Sequence, residues 1–73
     1  MPSPSPKPLI SDREKEIVQL VAQGFHNRQI GVKLLISEQT VKNHLHSIFD
    51  KLGVSDRLEL MLYAIHHRWV KKP

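Results

Sequence analysis

Apolar positions recur with helical period in four separate stretches of the chain, and no stretch shows the strict alternation of a half-buried strand. In the first stretch Ile17, Val18, Leu20 and Val21 supply the apolar face. Ser11 stands just before it with Glu14 three residues on, a capping box in which each side chain satisfies a free backbone N–H of the other. Gly24 is a natural stop, so a helix is predicted over 12–23. The second helix, about Asn27 to Leu34, sets Ile30 and Leu34 four apart; its start is weakly marked because His26 is a mediocre cap. The third follows Ser37, a good cap, with Glu38 favourable to the helix dipole. Val41, Leu45, Ile48 and Leu52 recur along it with Phe49 alongside, and Gly53 closes it, giving 38–52. The fourth follows Ser55 or Asp56, with Asp56 and Glu59 placed as a second capping box, and is predicted over 56–68. The pattern predicts an all-α, four-helix domain whose core joins Val41, Leu45, Ile48 and Leu52 to Ile17, Val21 and Ile30.

Only Leu35, Ile36 and Ser37 connect the second and third helices. So short a connection is that of a helix-turn-helix, in which two helices cross steeply. Gly31 supplies the small residue such a crossing needs, and Ile30, Leu34, Ile36, Val41 and Leu45 are spaced to hold the wedge. Glycine inside a helix costs about 0.5–1 kcal/mol relative to alanine, so its presence points to packing. On the third helix, Gln39, Lys42, Asn43, His46, Ser47 and Asp50 point away from the apolar stripe. Asparagine bonds an adenine edge in two places, and lysine reaches guanine acceptors or phosphate. Such a face is either an ordinary solvated surface or a reader of DNA.

Charge favours the second reading. Eleven Lys and Arg stand against seven Asp and Glu, a net charge of +4, which suits a polyanionic partner. Part of that surplus, Lys7, Lys71 and Lys72, falls in tails. Pro2, Pro4, Pro6 and Pro8 alternate with Ser3, Ser5 and Lys7, which denies the backbone helix geometry. Residues 1–8 are therefore expected to be a disordered linker or arm, 9–70 the ordered domain and 71–73 a basic tail. Seventy-three residues make one domain at most. The chain has no cysteine, no apolar run long enough to span a membrane and no signal-peptide pattern, which fits a cytoplasmic protein.

Other chemistry finds little support. His44 and His46 are two apart on a helix, and His66 and His67 are adjacent, so neither pair converges on a metal ion. No glycine-rich phosphate loop and no nucleophile with a base at a recognisable spacing is present, so neither an enzyme nor a cofactor is expected. The alternative from another class is a protein-interaction module, because the fourth helix carries Leu58, Leu60, Met61, Leu62, Tyr63, Ile65 and Trp69.

These residues bring the chain close to a known family. Ser11-Asp12-Arg13-Glu14-Lys15-Glu16-Ile17-Val18, Leu20-Val21-Ala22-Gln23-Gly24, Asn27-Arg28-Gln29-Ile30-Gly31, Ile36-Ser37-Glu38-Gln39-Thr40-Val41-Lys42-Asn43-His44, Ile48-Phe49-Asp50-Lys51-Leu52-Gly53-Val54 and Arg57 follow in order. From Leu9 to about Trp69 the chain resembles the C-terminal helix-turn-helix domain of LuxR-, NarL-, FixJ- and GerE-type bacterial transcription regulators. The resemblance implies a tetrahelical fold and a sequence-specific transcription regulator that is dimeric on double-stranded DNA and works with RNA polymerase. It implies base contacts from Lys42, Asn43 and His46, and phosphate contacts from Thr40, Ser47, Lys51 and Arg28. The family commonly dimerises through its fourth helix, for which Leu58, Leu62 and Ile65 form one candidate stripe. Leu60, Met61 and Ala64 form the neighbouring stripe and are assigned to the core; the alternative exchanges the two. Three departures from the family stand out. His26 replaces a serine or threonine cap, Gly31 replaces an alanine, and Leu60 and Met61 stand where small alanines are common.

Overall fold

Three of the four helices begin on a side chain that caps them. The computed structural model describes residues 10–70, so the expected linker over 1–8 and tail over 71–73 lie outside the described residues. In α1 (Asp12–Ala22) the expected capping box is complete. Ser11 Oγ accepts the Glu14 N–H at 3.1 Å, and Glu14 Oε1 accepts the Ser11 N–H at 3.0 Å. In α3 (Glu38–Leu52) Ser37 Oγ accepts the Thr40 N–H at 3.0 Å. In α4 (Arg57–His66) Asp56 Oδ1 accepts the Glu59 N–H at 2.9 Å. The start of α2 (Asn27–Leu34) is different: Gln29 Oε1 accepts the His26 N–H at 2.8 Å, while the His26 side chain makes no capping hydrogen bond.

The helix ends share one geometry. Gly24, Leu35, Gly53 and Arg68 all have positive φ, at 97°, 61°, 69° and 61°. After each, the next N–H bonds a carbonyl five residues back: Phe25 to Leu20 (3.1 Å), Ile36 to Gly31 (2.9 Å), Val54 to Phe49 (3.1 Å) and Trp69 to Ala64 (2.8 Å). This is the bond of a left-handed helix stop, and the apolar residue that follows packs back on the last turn. Phe25, Ile36, Val54 and Trp69 are all half-buried against the core. The stop at Arg68 ends α4 at His66, two residues before the sequence suggests, because an arginine takes the place where a glycine would have signalled the end.

The core is built from all four helices: Ile17, Val18 and Val21 from α1, Ile30 from α2, Val41, Leu45 and Ile48 from α3, and Leu60 and Ala64 from α4. The expected inner residues are therefore buried, with one exception. Leu52, in the last turn of α3, is half-buried at the edge of this cluster. α1 is the hub, contacting each of the other three helices, while α2 packs chiefly on α3. On α4, Leu60 and Ala64 are inside, whereas Leu58 and Leu62 are 64% and 56% exposed. Among the described residues no strand is present, and the fold is the expected tetrahelical one.

Candidate nucleic-acid interface

The orientation of α3 is set at the α2–α3 turn. A Cβ placed on Gly31 would lie 2.7 Å from the Ile36 carbonyl oxygen, closer than van der Waals contact allows. The turn therefore passes directly over the end of α2, and Gly31 is there for packing. Leu35 takes the left-handed conformation at the corner, and Ser37 starts α3.

From there the buried stripe Val41, Leu45 and Ile48 fixes which side of α3 faces out. Gln39, Lys42, Asn43, His46 and Asp50 are all exposed on the opposite side. The three residues expected to read bases thus share one solvent-facing surface. Gln39 Nε2 donates to Asn43 Oδ1 at 3.0 Å across one turn of that surface. Lys42 and His46 also border a shallow groove completed by Asn27 and by Ser55, Asp56 and Arg57 at the start of α4. Arg57 closes this side: its guanidinium donates to Asn27 Oδ1 at 2.8 Å and to the Phe25 carbonyl, and burial lowers its pKa. It pins α4 to the α1–α2 connection.

The four residues expected near phosphates differ among themselves. Arg28 is exposed on the first turn of α2. Thr40 and Ser47 are half-buried, and the Thr40 hydroxyl lies 2.9 Å from that of Ser37. Lys51 is exposed, and its Nζ donates to Glu14 Oε1 at 2.8 Å. Glu14 is only 4% exposed. Burial raises its carboxyl pKa, but hydrogen bonds from Lys51 and Ser11 and the lysine charge outweigh that, and the net shift is downward. In the sequence Glu14 stands out as a capping residue. A signal of its burial was present, because Glu14, Ile17, Val18 and Val21 fall at i, i+3, i+4 and i+7, which puts the carboxylate on the buried face, where it needs a cation.

The charge of the folded body is modest. Among the described residues, 10–70, eight Lys and Arg stand against all seven acids, a net charge of +1. No group of three or more His, Asp or Glu among the described residues is arranged to hold a metal ion. No described helix is long and apolar enough to cross a membrane.

The family model described as bacterial regulatory proteins, luxR family, matches residues 8–64. The chain belongs to that family. This LuxR-type helix-turn-helix domain is 44% identical over 66 residues to the transcriptional regulatory protein DegU of Brevibacillus brevis, a match covering 90% of the chain and 28% of DegU. It is 36% identical over 63 residues to the response regulator VraR of Staphylococcus aureus, covering 86% of the chain and 30% of VraR. The chain thus spans less than a third of the length of these two relatives. Among solved structures, it superimposes on the response regulator ChrA of a heme-sensing two-component system with a TM-score of 0.79 and 45% identity, over 90% of the chain and 33% of ChrA. It superimposes on the transcription factor GerE with a TM-score of 0.76 and 35% identity, over 85% of the chain and 92% of GerE. The chain is thus a LuxR-family DNA-binding helix-turn-helix domain, and the family is one of transcription regulators rather than enzymes.

Proposed function

We propose that the domain binds double-stranded DNA with α3 in the major groove, Lys42, Asn43 and His46 against base edges, and Arg28, Thr40 and Ser47 near phosphates. Lys51 completes the phosphate set: one N–H of its ammonium holds Glu14, and the others are left for a phosphate oxygen. The observation that carries the reading is the outward face of α3, where the three readers are exposed together opposite a fully buried stripe. Residues 9–70 form the binding unit, with 1–8 as a linker or arm and 71–73 as a basic tail. In the cytoplasm this unit is the output domain of a response regulator or ligand-sensing regulator, or a stand-alone GerE-like regulator, acting with RNA polymerase.

Two copies pair on DNA through Leu58, Leu62 and Ile65 of α4. Supporting this is the exposure of Leu58 and Leu62 beside a neighbouring stripe, Leu60 and Ala64, already used by the core. A helix of ten residues offers too small a contact for a lasting free dimer, since stable interfaces bury roughly 1,200–2,000 Å². DNA holding two domains side by side supplies what is missing. The test is a titration against duplexes selected from a random pool, repeated at several salt concentrations. Affinity for a selected sequence should fall steeply with salt, and Lys42→Ala should weaken it. Failure to bind any duplex at low salt would overturn the reading.

A further inference from the structure

We infer that Gln39 is a second base-reading residue, acting with Asn43 as one unit that selects adenine. The inference rests on the proposed placement of α3 in the major groove. Gln39, Asn43 and His46 follow at i, i+4 and i+7 and so form one exposed stripe beside Lys42. Within it, Gln39 Nε2 donates to Asn43 Oδ1 at 3.0 Å. That bond changes what Asn43 can offer. A free asparagine presents both a carbonyl acceptor and an amide donor, which suits adenine. Here the Asn43 oxygen faces Gln39 with one of its two lone pairs taken, and the amide is the group directed away from Gln39. Gln39 Oε1, which the bond leaves unused, is the pair's free carbonyl.

The pair as a whole therefore shows one amide and one carbonyl outward. Exchanging oxygen and nitrogen in both amides preserves that pattern, so the conclusion does not depend on how each amide is turned. In the major groove adenine offers one donor, N6, and one acceptor, N7. Guanine offers two acceptors, cytosine a donor alone and thymine one acceptor and a methyl group, so no other single base engages both groups of the pair. The bond also holds two flexible side chains in register before DNA arrives, which reduces the ordering cost of binding.

The experiment is selection of duplexes from a random pool by the chain and by Asn43→Ala, Gln39→Ala and the double variant. Both positions are exposed, and unchanged helicity by circular dichroism verifies each fold. Asn43→Ala should relax the preference for adenine at one base pair by roughly tenfold. Gln39→Ala should relax the same position, and the double variant should lose no more than the worse single one. Gln39→Glu gives an independent sign. It accepts from the Asn43 amide and leaves acceptors outward, so the preference should move toward cytosine, whose N4 donates. Relaxation by Asn43→Ala with no effect of Gln39→Ala would overturn the pair while leaving Asn43 a reader. Unchanged preference in Asn43→Ala would remove both residues from the reading set, and selection of guanine at that position would overturn the adenine assignment.

Discussion

Lys51 Nζ lies 2.8 Å from Glu14 Oε1 and so joins the last turn of α3 to the first turn of α1. Removing the lysine leaves a buried carboxylate without its cation. Breaking a fully buried pair costs about 3–5 kcal/mol, but the Lys51 side chain is 37% exposed and solvent screens it. Lys51→Met should therefore destabilise the domain by about 1–3 kcal/mol in urea unfolding. Unfolding midpoints equal to those of the parent chain would show that the pair contributes nothing.

The same carboxylate gives the domain an acid-sensitive limb. The folded pKa of Glu14 lies below its ordinary value, so the unfolded chain binds the proton more readily. Its contribution is present above the ordinary glutamate value of 4.5 and is lost as pH falls through the lower folded value. Urea midpoints followed from pH 7 downward should fall in that range. In Glu14→Gln the fall should be shallower, because one of the groups linked to protons is gone. An identical acid limb in the variant would exclude Glu14 as a source.

Leu35 occupies the left-handed corner of the α2–α3 turn at φ 61° and is 90% exposed. A β-carbon in that conformation costs about 1–2 kcal/mol, while glycine gives back about 0.5–1 kcal/mol in unfolded-state entropy. Leu35→Gly loses no buried contact and should stabilise the domain by about 0.5–1 kcal/mol. Gly53→Ala, at φ 69°, is the mirror experiment and should destabilise it. Thermal unfolding of both variants measures the two signs together.

Leu62→Glu probes the pairing proposed for α4. The side chain is 56% exposed, so the fold should survive, as seen by circular dichroism. Cooperative binding to duplexes carrying two half-sites should be lost, while weak binding to a single half-site remains. Unfolding of this variant would return Leu62 to the core and favour the exchanged stripe.

Local signals in the sequence carried most of the fold. Ser11, Ser37 and Asp56 start helices where cap chemistry says they should, and Gly24 and Gly53 stop them. The periodicity of α3 also placed Lys42, Asn43 and His46 on one face, since three residues on one helix need no tertiary knowledge to be grouped. What escaped were features that local rules do not encode. Arg68 ends α4 in a conformation its residue type disfavours. Glu14 and Lys51 are 37 positions apart, and only the packing of α1 on α3 brings them together, so no local pattern marks the pair. Gly31 was legible as a packing residue, but the Ile36 carbonyl that excludes a Cβ was not.

The four left-handed stops bear on how fast the chain reaches this state. Each is closed by a bond between residues five apart, so the C-terminal end of each helix forms without waiting for distant contacts. Helical domains dominated by such local contacts fold in microseconds to milliseconds. What then remains for the folding search is docking around α1. A glycine at position 35 would ease the one corner that must close before α3 can meet α2, and refolding rates after rapid dilution from urea would register it.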